Sequence, residues 1–255
     1  AIFMNGESTG DMWTVFTPAQ IDRRLYQLGP ISHNRRDNSY QVMHMTFVVE
    51  IMGSPFAEFI RNPTAMPRKN STREINGVLY KNSNCVGFRN EAARRMSEFL
   101  DIYHGICKPE KGMRPNSLLP DTVLGGRKAF ADNARNMGKY KYCIVMENVV
   151  GNVGYVTEKL LYGLMSGCLP IYAGSRTILD VFNPKAFIYY DLARPDEALD
   201  LMRRMEANDT LYDEYNNAPI FADPQRSVNE YFSICDDIGD GSLKRRIRQM
   251  MEIEE

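Results

Sequence analysis

From about Gly77 onward, short apolar runs alternate with stripes of helical period, and this alternation limits the possible folds more than any other feature of the chain. Tyr142-Cys143-Ile144-Val145-Met146 reads as a buried strand. Val156, Leu160 and Leu164, supported by Leu161 and Met165, mark a helix, and Leu169-Pro170-Ile171-Tyr172 is the next strand. The same logic predicts a strand at Gly77–Tyr80 and a helix at Phe88–Leu100, where Phe88, Ala92, Met96 and Leu100 recur every fourth residue. It also predicts a strand and turn over Asp101–Cys107, a helix over Arg127–Met137 closed by Gly138, and a strand at Phe187–Tyr190. Helices over Pro195–Glu206 and Thr210–Asn216 follow, then a helical tail, 227–255, broken near Gly239-Asp240-Gly241. Strands alternating with helices predict an α/β fold with a parallel sheet covered on both faces.

Residues 1–73 have a different texture. A strand-like Ala1-Ile2-Phe3-Met4 opens the chain, and a second strand-like run covers Val42–Ile51. A loop rich in Pro, Arg and Asn, Arg61–Arg73, is the expected boundary. With 255 residues there is chain for one large domain or two small ones. A formal net charge of −1 argues against a general binder of nucleic acid, which needs a basic excess. No run approaches the roughly 20 apolar residues that span a bilayer. The five cysteines are widely spaced, with no C-x-x-C pair, and Cys143 and Cys168 read as small core residues. His33, His44 and His104 are too scattered for a metal cluster, and there is no Asp-x-Asp motif. Asn70-Ser71-Thr72 and Asn208-Asp209-Thr210 are glycosylation sequons, a triplet too common to fix a compartment.

The chemistry concentrates after the strand that ends at Met146. In a doubly wound sheet, ligands bind beyond the carboxyl ends of strands. Glu147-Asn148, a turn through Gly151 and Gly154, and Tyr155-Val156-Thr157-Glu158-Lys159 follow. The glycines permit a tight turn, Thr157 or a neighbour can cap the new helix, and the helix start suits a phosphate. Lys159 sits in the first helical turn, off the apolar stripe, where a cation opposes the helix dipole. Binding an anion accounts for that placement.

This block resembles the α1,3-fucosyltransferase family. The likeness runs collinearly over residues 77–220. It comprises Lys139–Asn148, Gly154-Tyr155-Val156-Thr157-Glu158-Lys159-Leu160 and Gly167–Gly174. Phe182-Asn183-Pro184-Lys185-Ala186-Phe187-Ile188, Asn84-Cys85 through Arg89, and Tyr103-His104-Gly105-Ile106-Cys107 add weaker matches, while Met146 stands where the family has an aromatic. The resemblance implies a GT-B-like fold with a Rossmann-type donor-binding domain at 74–226. It implies a small or truncated acceptor-side domain at 1–73, with the 227–255 helix packing back on it. Carried over by position, Arg89 and Lys159 contact the donor diphosphate, Glu158 holds the ribose, and Asn148 and Tyr155 line the phosphate and sugar pocket. Phe3-Met4-Asn5-Gly6-Glu7 resembles the family's strand ending in Gly-Glu, which makes Glu7 the general base.

The expected function is therefore an inverting, metal-independent transfer of fucose from GDP-fucose to an oligosaccharide or glycoprotein glycan, with no cofactor required. A similar fold with UDP-xylose as donor, or a non-catalytic glycan- or nucleotide-binding module, are the alternatives. Either a Golgi lumen or a cytoplasm is compatible with the sequence.

Overall fold

The structure, a computed structural model, describes residues 2–4, 26–29, 39–41, 60–61, 74–82, 84–105, 107, 114–115, 136–151, 155–233 and 237–250. The strand expected over 42–51, nearly all of the 61–73 loop and most of the helix expected over 127–137 lie outside them.

Strands β1 (Ile2–Met4), β2 (Tyr26–Gly29) and β3 (Ser39–Gln41) form a parallel sheet in that order. A second sheet is built from β4 (Ile75–Tyr80), β5 (Ile102–His104), β6 (Arg114–Pro115), β7 (Tyr140–Ile144), β8 (Leu169–Tyr172) and β9 (Ile188–Tyr189). All its pairings are parallel and its order is β6-β5-β4-β7-β8-β9. The helices are α1 (Gly87–Met96), α2 (Lys159–Ser166), α3 (Ile178–Val181), α4 (Pro195–Glu206), α5 (Asp209–Asn216), α6 (Pro224–Tyr231) and α7 (Ser242–Met250).

Side chains of successive strand residues leave opposite faces, and each face of the second sheet has its own core. Tyr142, Ile144 and Met146 join Val78, Tyr80, Ile102 and Ile171 on one face, packed against Ala92, Ala93 and Met96 of α1 and Leu199, Met202 and Met205 of α4. Cys143 and Val145 join Leu79 and Tyr172 on the other, with Leu160, Leu161 and Leu164 of α2 and the rings of Phe182, Phe221 and Phe232. Burial on both faces explains why these strands read as continuous apolar runs rather than alternating ones.

Element boundaries follow local chemistry. Helix α4 has Pro195 in its first turn, Asp196 and Glu197 near its positive end and Arg203 and Arg204 near its negative end. Asn208 and Asp223 cap α5 and α6 by accepting from Leu211 N and Arg226 N. The expected break in the tail is present, with Gly239 and Gly241 at positive φ between α6 and α7. Helix α1 stops at Met96, earlier than the stripe through Leu100 predicts. The Ser97 hydroxyl donates back to Arg94 O at 2.6 Å, a local bond that competes with helix continuation.

The cysteines require a correction. Cys143 and Cys168 are core residues, as expected, but they are joined to each other, with a Cα–Cα distance of 6.1 Å. Cys85 and Cys107 form a second disulfide, Cα–Cα 5.2 Å. Each bridge ties two adjacent strands or the segments just beyond them, so its partners lie a whole crossover apart, 25 and 22 residues in sequence. No local spacing rule announces such pairs.

Two outcomes are expected. Peptide mapping of non-reduced protein yields the linked pairs Cys85–Cys107 and Cys143–Cys168; finding all four thiols free contradicts this packing. Gly163 of α2 lies so close to β8 that an added Cβ meets Pro170 Cγ at 2.9 Å and Cys143 Sγ at 3.3 Å. Gly163→Val should cost about 1–3 kcal/mol in denaturant unfolding, and an unchanged midpoint would show that α2 does not press on the sheet here.

Candidate nucleotide-sugar site

The strand order itself locates a site. From β4 the chain crosses through α1 to β5 and on to β6, then returns to place β7 on the opposite side of β4. The crevice beyond the carboxyl ends of β4 and β7 is thus a topological switch point, where open parallel sheets bind ligands. The segment after β4 leads to Arg89 in the first turn of α1, and the segment after β7 carries Glu147, Asn148, Tyr155, Glu158 and Lys159.

Arg89 closes the switch point. It is 1% exposed. Its Nη2 donates to Met146 O at 2.6 Å and to Asn148 Oδ1 at 2.7 Å, and its Nη1 donates to Asn84 O at 3.0 Å. The guanidinium so joins the ends of β4 and β7. Burial pushes its pKa down, and the charge of Glu147, then the Tyr80 and Tyr155 rings' hydroxyls, oppose that. Arg89 Nε makes no hydrogen bond although it is buried.

On the other face, Glu147 occupies a position in phase with Cys143 and Val145, and it is 0% exposed. Its backbone N–H still pairs with β8, donating to Ala173 O at 2.8 Å. Its carboxylate accepts from four donors. Thr157 N and the Tyr172 hydroxyl reach Oε1 at 2.7 and 3.3 Å; the Thr157 hydroxyl and Lys159 Nζ reach Oε2 at 2.7 and 3.1 Å. Lys159 Nζ also donates to Thr157 Oγ1 at 2.9 Å, and its side chain keeps 21% exposure. Burial and the adjacent Glu147 charge drive the Tyr172 pKa well above its ordinary value, so this phenol stays a proton donor. Gly174 leaves the room this needs, since an added Cβ would overlap the Tyr172 hydroxyl and meet Glu147 Cγ at 2.8 Å.

The structure therefore brings Arg89 to Asn148, and Lys159 to the same strand end through Glu147. Tyr155 is buried, and its hydroxyl is felt electrostatically by both Arg89 and Tyr172. Glu158 is half-buried at the cap position of α2. Thr157 does not cap that helix: its side chain is spent on Glu147, and α2 starts at Lys159 without a side-chain cap. Glu7 lies outside the described residues. Glu147 is the residue that reading for function passed over. Its signal was a carboxylate at a core-phase position of a buried strand, where an unpartnered charge is not tolerated. At the end of β9, Tyr190 is buried and the Tyr189 hydroxyl donates to Gly174 O at 2.9 Å. Among the described residues no group of three or more His, Cys, Asp or Glu comes together to hold a metal ion.

Known proteins resemble this chain in family and fold. Residues 71–237 match the family model described as glycosyltransferase family 10 (fucosyltransferase), C-terminal part. The alpha-(1,3)-fucosyltransferase FucT of Helicobacter pylori is 35% identical over 103 residues, 38% of this chain and 21% of that protein. The human GDP-fucose protein O-fucosyltransferase 3 is 27% identical over 163 residues, 61% of this chain and 33% of that protein. The chain thus spans well under half the length of the curated relatives it matches. A crystal structure of an alpha1,3-fucosyltransferase with GDP superposes over 100% of this chain and 75% of its own, with a TM-score of 0.57 at 17% identity. That likeness speaks for the fold, which is α/β and GT-B-like. The chain belongs to glycosyltransferase family 10, the fucosyltransferases.

Proposed function

We propose that this chain carries the donor site of an inverting fucosyltransferase that takes fucose from GDP-fucose and needs no bound metal. The observation that carries the proposal is the family match over 71–237, which contains Arg89 and Lys159 at the β4–β7 switch point. Relatives bear the names alpha-(1,3)-fucosyltransferase and GDP-fucose protein O-fucosyltransferase, and a structure of the same fold holds GDP-fucose. The acceptor is a hydroxyl on a glycan or a protein.

In the proposed reaction the acceptor oxygen attacks the anomeric carbon from the side opposite the diphosphate. The bond from that carbon to the phosphate oxygen breaks, and GDP leaves with the electron pair. The acceptor's proton passes to the Glu7 carboxylate. Negative charge grows on the departing diphosphate, and fixed cations stabilise it at the transition state more than in the ground state. Arg89 and Lys159 supply that charge, which is the task a divalent ion performs in other transferases. Asn148 and Tyr155 line the phosphate and sugar, and Glu158 binds the ribose.

We place the acceptor side at 1–73 and the donor side at 74–226, with 227–255 packed back towards the former. The ion pair between Arg61 and Asp237, 2.7 Å, supports that return. Two disulfides favour a lumenal, oxidising compartment over a cytoplasm.

Removal of one transition-state donor typically costs about 100- to 1,000-fold in rate. Lys159→Ala should lower kcat by that order with GDP-fucose, and Glu7→Gln should leave only trace transfer; wild-type rates in both variants would refute the assignment. A thermal shift with GDP and UDP checks the nucleotide: GDP at about 100 times its Kd adds about 2.7 kcal/mol to stability, whereas a larger shift with UDP points to another donor. Transfer should persist in EDTA, and a complete loss restored by a divalent ion would overturn metal independence.

A further inference from the structure

We propose that Glu147 is a positioning residue for diphosphate recognition, holding the Lys159 ammonium in place before the nucleotide arrives. The inference rests on the donor-site reading above. A carboxylate offers about four acceptor directions, and here four donors fill them, two on each oxygen. No direction remains for an acceptor hydroxyl, and the group is 0% exposed. Glu147 therefore does not act as a base.

What it does is join three elements at one point. Its backbone belongs to the end of β7. Its carboxylate takes the Thr157 amide and hydroxyl just before α2, the Lys159 ammonium in the first turn of α2, and the Tyr172 hydroxyl at the end of β8. Thr157 Oγ1 donates to Glu147 and accepts from Lys159, closing a three-membered ring of contacts. A free lysine side chain samples many rotamers; one tied at two points has given most of that freedom up. The Lys159 side chain keeps 21% exposure, whereas that of Glu147 keeps none. The same buried charge supports Arg89, whose guanidinium feels Glu147 as its strongest favourable neighbour. Both cations of the site thus refer to one anion.

The test is a double-mutant cycle read by calorimetry with GDP and, separately, guanosine, on the whole chain. Losing a charged hydrogen bond is worth about tenfold or more in binding. Glu147→Gln, of the same shape, should weaken GDP about tenfold, leave guanosine unchanged, and add little to Lys159→Met. An additive loss, or an equal loss for GDP and guanosine, would mean that Glu147 only stabilises the fold, and would overturn the inference. If Glu147→Gln does not fold, Thr157→Val removes only the bridging hydroxyl, and it should weaken GDP but not guanosine; equal affinities to wild type again overturn the inference. Wild-type protein that binds guanosine but gains nothing from the diphosphate refutes the donor-site reading itself, and this role with it.

Discussion

A guanidinium with almost no exposure, bonded to backbone and side chain at the ends of two strands, is the contact on which the site depends. Arg89 reaches from α1 to Asn84 O after β4 and to Met146 O and Asn148 Oδ1 at the end of β7. Desolvating such a charge costs several kcal/mol unless bonds and opposite charge compensate. Three hydrogen bonds and the nearby Glu147 carboxylate do so here.

The site is organised by the two-residue period of β7. Met146 and Asn148 serve the face with Arg89, one through its carbonyl and one through its amide. Glu147, between them, serves the face with Thr157, Lys159 and Tyr172. One strand end thereby fixes a cation on either side of the sheet. The surrounding core makes this rigid. Tyr142 donates to Glu206 at 2.7 Å and Lys141 pairs with the same carboxylate at 2.8 Å, tying β7 to α4 away from the site.

Much of this was legible in the sequence, for identifiable reasons. Strand β8 and helix α4 were read to the residue because the first is a buried apolar run and the second has Pro195, acidic and basic ends. Motif resemblance pointed to Arg89, Asn148, Tyr155, Glu158 and Lys159, and hydrogen bonds or charge link four of the five, all but Glu158, at one crevice edge. The start of α2 was read early because Thr157 has the chemistry of a cap but gives its hydroxyl to Glu147. The disulfides and the Tyr172 bond to Glu147 escaped because each depends on contacts across a crossover, which only the sheet order supplies. Local pattern fixes elements; partners 10 to 25 residues apart need the fold.

The most direct test of this account is a crystal structure of the protein with GDP-fucose bound. The account predicts the diphosphate at the carboxyl ends of β4 and β7, with Lys159 Nζ within hydrogen-bond distance of a phosphate oxygen and still bonded to Glu147. A diphosphate bound elsewhere, or Lys159 left pointing only into the protein, would contradict it.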